Sequence, residues 1–169
     1  CFRFSFSSDL GWICVIWSGK GVRHLTFGHP SAPAAEAYLD VQISEASFTE
    51  RGDDQLAEQL IGFAQGQRVD LRRIALDLPC RTAFQSRVLK ACQRIPYGKT
   101  RSYKELATMA GSPNAARAVG NVMSQNPIPL IIPCHRVVGS NDRLGGFSAP
   151  DGLRMKRRLL QLEQNPAGP

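Results

Sequence analysis

The chain has 169 residues, 43% of them hydrophobic, and 21 Lys and Arg against 14 Asp and Glu, a net charge of +7. That size holds one domain or two small ones around a buried core, and the basic excess points to a polyanionic partner. No apolar run approaches a membrane span. The five cysteines (positions 1, 14, 80, 92 and 134) contain no CxxC pair, which excludes a disulfide framework. Reduced thiols place the chain in the cytoplasm, or the nucleus of a eukaryote. It opens on Cys1 rather than Met, and no signal peptide is expected.

Phe2, Phe4 and Phe6 alternate with Arg3, Ser5 and Ser7, the period of a half-buried strand. Gly11 to Trp17 (GWICVIW) is a second strand, Ser18-Gly19-Lys20-Gly21 turns the chain, and Val22 to Phe27 returns as a third. Together they predict an antiparallel meander. Gly28 to Ala34, with its prolines and serine, reads as a loop. The helix that follows is capped by Asp53 or Asp54, shows Leu56, Leu60, Phe63 and Ala64 on one face, and stops at Gly66. Ile74, Leu76 and Leu78 alternate again and predict a strand ending at Pro79. Cys14, His24 and His29 fit no standard zinc spacing, so no metal site is expected.

Thr82 caps a helix with Phe84, Val88, Ala91, Cys92 and Ile95 inward, which assigns Cys92 to packing. After a turn at Ile95 to Lys99, Ser102 caps a short helix from Tyr103 to Met109. Gly111-Ser112-Pro113 interrupts it, and Asn114 to Ser124 forms a second helix dense in small residues. Helix, tight turn and helix outline a helix-turn-helix, though an ordinary αα-hairpin has the same outline. Arg117 stands among alanines and Gly120, so this helix could approach a DNA groove closely. Gly139 to Ala149 is a Gly- and Ser-rich loop long enough to wall a pocket. Leu153 to Glu163 is a last helix, with Met155, Leu159 and Leu162 inward and Lys156, Arg157 and Arg158 on a solvated or phosphate-facing side. Asn165 to Pro169 reads as a disordered tail.

Between the second helix and that loop lies Ile131-Ile132-Pro133-Cys134-His135-Arg136-Val137-Val138. Pro133 fixes its own φ and lacks an N–H, so the backbone at Cys134 is held. Leu130, Ile131 and Ile132 drive the segment inward and would put the thiol at the floor of a cavity. His135 offers a base near neutrality, and a thiol is a nucleophile only once deprotonated. Taken alone, the dipeptide fits an inert core cysteine equally well.

The longer stretch Asn126 to Val138, NPIPLIIPCHRVV, resembles the active-site signature of the O6-alkylguanine-DNA alkyltransferases, the methylated-DNA–protein-cysteine methyltransferases. The likeness runs upstream through Tyr97-Gly98-Lys99-Thr100-Arg101-Ser102-Tyr103 and Ala115 to Gly120, and downstream to the Lys156–Glu163 helix. Residues 82 to 163 are covered, about half the chain. This resemblance implies an α+β protein in two parts: a ribonuclease H-like β-sheet domain over residues 1–80 and a mostly helical domain with the helix-turn-helix over 81–169. The activity it implies is DNA repair, in which the alkyl group of O6-alkylguanine, or of O4-alkylthymine, moves irreversibly onto the protein's own cysteine.

The same resemblance implies residue roles. Cys134 is the acceptor thiolate, His135 takes its proton through a water, and Glu163 orients the imidazole. Asn126 ties the helix-turn-helix to the active-site loop. Tyr103 donates to the guanine ring as charge develops, and Arg117 fills the gap left by a flipped base, where an ordinary phosphate contact is the simpler role. The Val137 carbonyl meets the base's amino group, and Ser148 presents a donor near O6. Phe147 departs from the family, which often has tyrosine there; packing against the alkyl group survives but a hydroxyl contact is lost. The implied partner is double-stranded DNA carrying O6-alkylguanine, entered from the minor groove by a monomer that needs no cofactor.

Two other classes fit less well. A Cys-His hydrolase keeps nucleophile and base far apart in sequence and adds an oxyanion hole, unlike the adjacent pair here. A damage-binding protein of the same fold would lack the acceptor that Cys134 supplies.

Overall fold

The computed structural model describes residues 1–43, 48–78 and 81–165. The chain divides into two compact units, Cys1–Pro79 and Cys80–Asn165. Cys80 and all of the expected tail but Asn165 lie outside the described residues.

The first unit is built on a sheet of four strands in the order β3-β2-β1-β4. β1 (Phe2–Phe6), β2 (Trp12–Ser18) and β3 (Gly21–His29) form the expected antiparallel meander. β2 has neighbours on both edges, and its Ile13, Cys14, Val15 and Ile16 are fully buried. Successive residues point to opposite faces, so both faces of β2 are covered, which explains why its sequence is a continuous apolar run rather than an alternating one, each aliphatic side chain contributing about 1.5–3 kcal/mol.

Helix α1 (Ala32–Gln42) begins inside the expected loop and takes its last three residues. Ser31 accepts from the Ala34 amide at 3.3 Å and Pro33 sits in the first turn. Read as breakers, these residues are start signals, because a first-turn N–H has no partner to lose. Ala35 and Leu39 of α1 cover Cys14 and Ile16. The short β4 (Thr49–Glu50) pairs parallel with β1, and α2 (Asp54–Ala64) is capped by Asp53.

The strand expected over Ile74 to Leu78 does not form. Asp70 caps a 3-10 turn at Leu71–Arg73, and beyond it a single bridge joins Leu76 to Val22. Val22 donates to Ala75 (2.9 Å) and accepts from Asp77 (2.8 Å), while Asp77 accepts from the Ser18 hydroxyl at 2.7 Å. The segment meets β3 only at Val22, so its alternation makes one rung and not a strand.

The second unit is mostly helical, so the α+β class holds with its sheet N-terminal and its helices C-terminal. Thr82 and Gln85 make a capping box at the start of α3 (Ala83–Gln93), and Ser102 and Glu105 make another at α4 (Tyr103–Met109). Gly111, at φ 76°, turns the chain into α5 (Ala116–Ser124). The two-residue strands β5 (Arg101–Ser102) and β6 (Val137–Val138) run parallel, placing the start of α4 beside the segment after Cys134. The last helix is α6 (Gly152–Gln164).

Candidate active site

Cys134 is only 5% exposed and opens a 3-10 turn, Cys134–Arg136, that leads into β6. The backbone before it is held from α5. The Asn126 side chain accepts from the Ile128 amide (3.1 Å), donates to the Ile132 carbonyl (2.8 Å), and hydrogen-bonds the thiol. Within that clamp Leu130 is buried at φ 72°, a left-handed conformation that costs a branched residue roughly 1–2 kcal/mol. Surrounding structure must hold such a residue in place. Burial pushes the Cys134 thiol above its ordinary pKa, while the Asn126 bond, the Lys156 charge and nearby backbone N–H groups pull it down.

His135 and Glu163 meet as the resemblance implied, with Nε2 2.6 Å from Oε1 and both side chains buried. Glu163 does more than orient the ring. It also accepts from Arg136, through Nε (3.0 Å to each oxygen) and a terminal nitrogen (2.9 Å), and from the Gly98 amide at 2.9 Å. Burial alone would raise this carboxyl, but the bonds from His135 and Arg136 prevail and hold it down at about 2. It is therefore a carboxylate, able only to accept, so His135 Nε2 carries the hydrogen and Nδ1 is the basic nitrogen. Burial lowers the imidazole pKa against the opposing pull of Glu163.

Lys156 departs from the sequence expectation. It is fully buried, not solvated, and donates to the Val137 carbonyl (2.6 Å) and the Gly146 carbonyl (3.4 Å), with its ammonium 6.0 Å from the Tyr103 ring centre. Its neighbours Arg157 and Arg158 are exposed as expected. Val137 is buried and its carbonyl faces Lys156. Burial lowers the Lys156 pKa to about 8.

Beside the thiol is a cavity of about 410 Å³ lined by Tyr103, Gly120, Met123, Ser124, Cys134 and the loop Gly145 to Ser148. It thus gathers Cys134, Tyr103, Phe147 and Ser148, as anticipated. Gly145 adopts φ +60°, and a Cβ there would lie 2.7 Å from the Tyr103 hydroxyl, so only glycine lets the loop pass the phenol. Burial and the nearby thiol raise the Tyr103 pKa, which keeps it a phenolic donor.

The family model for the 6-O-methylguanine DNA methyltransferase DNA-binding domain matches residues 83–165. A methylated-DNA–protein-cysteine methyltransferase of Methanosarcina barkeri is 41% identical over 94% of each chain. The chain belongs to the methylated-DNA–protein-cysteine methyltransferases. A relative of that name from Mycobacterium leprae is 49% identical over 63% of this chain and 62% of its own. Among solved structures, Mycobacterium tuberculosis OGT in complex with DNA superposes with a TM-score of 0.78 at 33% identity, covering 97% of this chain and 93% of the other.

In this methyltransferase Arg117 is exposed on the first turn of α5. Gly120 and Ser124, three and seven positions on, share its helical face and line the cavity. Two site residues escape the sequence reading, Arg136 and Lys156. A signal exists for each. Arg136 is a cation inside an apolar run, and a buried cation must be paired. Lys156, Leu159 and Glu163 are spaced three and four apart, on one face of α6. Among the described residues no group of three His, Cys, Asp or Glu could hold a metal ion.

Proposed function

We propose that the alkyl acceptor of this DNA-repair methyltransferase is Cys134, that its substrate is O6-alkylguanine in duplex DNA, and that one chain acts once, alone and without a cofactor. The observation that carries this is the thiol at the wall of a cavity shared with Tyr103, Phe147 and Ser148 and backed by His135 and Glu163.

The guanine O6 is buried in the duplex stack, so the nucleotide turns out into the cavity. The Cys134 proton passes through a water to His135 Nδ1 and on to solvent, leaving sulfur with an electron pair. Sulfur puts that pair into a new S–C bond as the C–O6 bond breaks, and guanine leaves with the electron pair of the broken bond and takes up a proton from solvent. Tyr103 donates its hydroxyl to the ring as the negative charge grows. Phe147 and Met123 give the alkyl group an apolar wall, and Ser148 supplies a donor near O6. The thioether has no route back to thiol. α5 enters the minor groove with Arg117 leading, and its small residues allow close approach.

Mass spectrometry after incubation with duplex O6-methylguanine tests the assignment. One methyl group per chain is expected, on Cys134 alone. Repeated turnover, or a methyl on Cys14 or Cys92 in Cys134→Ser, overturns it.

A further inference from the structure

Among the described residues Lys156 is the one fully buried lysine, and its bonds go to carbonyls rather than to a carboxylate. An ammonium held out of water on carbonyls alone adds little to the fold, so its presence calls for another use. Its partners show which parts it joins. One hydrogen goes at 2.6 Å to the carbonyl of Val137 in β6, directly after the turn that carries Cys134. Another goes to the Gly146 carbonyl at 3.4 Å, and the nitrogen lies 6.0 Å from the centre of the Tyr103 ring. Gly146 and Tyr103 wall the cavity with Cys134. The loop has little else to hold it. From Leu144 to Ser148, the bond from Lys156 is the only hydrogen bond among the described residues. Gly145 and Gly146 bring no side chain to pack, and a Cβ added to Gly146 would meet nothing within 4 Å. A stretch with so few bonds keeps its place through its anchors.

We propose that Lys156 is a positioning residue, a latch that holds the Gly145–Ser148 wall to β6 and so sets Phe147 and Ser148 at the Cys134 cavity. An ammonium suits the task. Its compact head carries three hydrogens, enough to reach two carbonyls at once, and its charge makes those bonds stronger than neutral ones. The latch acts on the reaction through the wall and not on the sulfur. Displacement at carbon needs the sulfur, the alkyl carbon and O6 in line, and a misplacement of about 1 Å costs on the order of a hundredfold in rate. A wall that drifts from β6 would hold the base less well in that line.

This inference rests on Cys134 being the acceptor, and the experiment keeps the two apart. Methyl transfer from duplex O6-methylguanine is followed under single-turnover conditions over a range of DNA concentrations. Iodoacetamide labelling of Cys134, which needs no ordered wall, is followed beside it. Lys156→Met keeps an unbranched side chain in place and removes both bonds. Its maximal transfer rate should fall about tenfold or more. The half-saturating DNA concentration should stay within about twofold of the parent, because α5 is untouched, and labelling should fall far less than transfer. Lys156→Gln is one atom shorter, and the Gly146 bond is already 3.4 Å long, so this variant drops the wall while keeping a donor for Val137. It should show the same split, and it carries the test should Lys156→Met not fold. A maximal rate within twofold of the parent in the folded variant overturns the proposal. So does a rise in half-saturation with the maximal rate intact, or labelling lost as fully as transfer. A methyl found away from Cys134 in the parent chain refutes the acceptor assignment instead.

Discussion

Glu163 lies 28 positions after His135, and its carboxylate meets the imidazole at 2.6 Å while holding Arg136 by three further bonds. One carboxylate thus serves the base and anchors the turn that carries the nucleophile. Structure and chemistry share this group and should fail together.

Its pH signature follows from the sign of its shift. The folded pKa of about 2 lies below the ordinary 4.5, so the contribution is complete above 4.5 and is lost as pH falls towards 2. The size is about 3 kcal/mol, similar to the cost of leaving a buried ion-pair partner alone. In Glu163→Gln, urea unfolding at a series of pH values should show lower stability at neutrality and a flatter loss between those limits. Parallel acid profiles in variant and parent would show that the carboxylate does not stabilise the fold.

Asn126 is predicted to act through the backbone. Asn126→Ala removes an acceptor for the Ile128 amide and a donor to the Ile132 carbonyl. Each orphaned group costs about 1–3 kcal/mol if it stays dry. The strained Leu130 should then relax, and the thiol should move. Thermal unfolding and iodoacetamide labelling should both change. An unaltered labelling rate in a destabilised variant would confine the residue to the fold.

The parts of this site differ in how far the chain alone reveals them. Cys134 and His135 stand in an apolar run that marks itself, and Thr82 and Ser102 announce their helices by side-chain chemistry local to the cap. Glu163 can be placed only through the family likeness, because a partner 28 residues away leaves no periodic trace. Lys156 is easily misplaced because a Lys-Arg-Arg run looks solvated, although its spacing from Leu159 and Glu163 puts it on the buried face. In the first unit, Ser31 and Pro33 look like breakers until the position of the helix gives them a role. Ile74, Leu76 and Leu78 alternate as a strand does, yet pairing depends on an edge elsewhere in the chain.

Gly145 gives a prediction that no side chain of its own could mediate. Gly145→Ala introduces a left-handed alanine, costing about 1–2 kcal/mol, and a Cβ 2.7 Å from the Tyr103 hydroxyl. Either the phenol or the loop must shift, and both line the cavity. Single-turnover repair of duplex O6-methylguanine should slow about tenfold or more while circular dichroism stays native. A rate within twofold of the parent would mean that the Tyr103 position is not critical.

Arg117 separates extrusion of the base from chemistry on it. The side chain is exposed on α5, on the face that Gly120 and Ser124 extend into the cavity. Unstacking a nucleotide costs a few kcal/mol, and a side chain that fills the gap offsets part of it. Arg117→Ala should therefore slow repair in duplex DNA by about tenfold or more, yet leave reaction with free O6-benzylguanine nearly unchanged, since that base needs no extrusion. A plain phosphate contact predicts a different pattern: weaker binding, a salt slope shallower by about one unit, and full recovery at saturating DNA. Single-turnover rates at saturating duplex decide between them. If the variant then matches the parent, Arg117 anchors the backbone and something else holds the stack open.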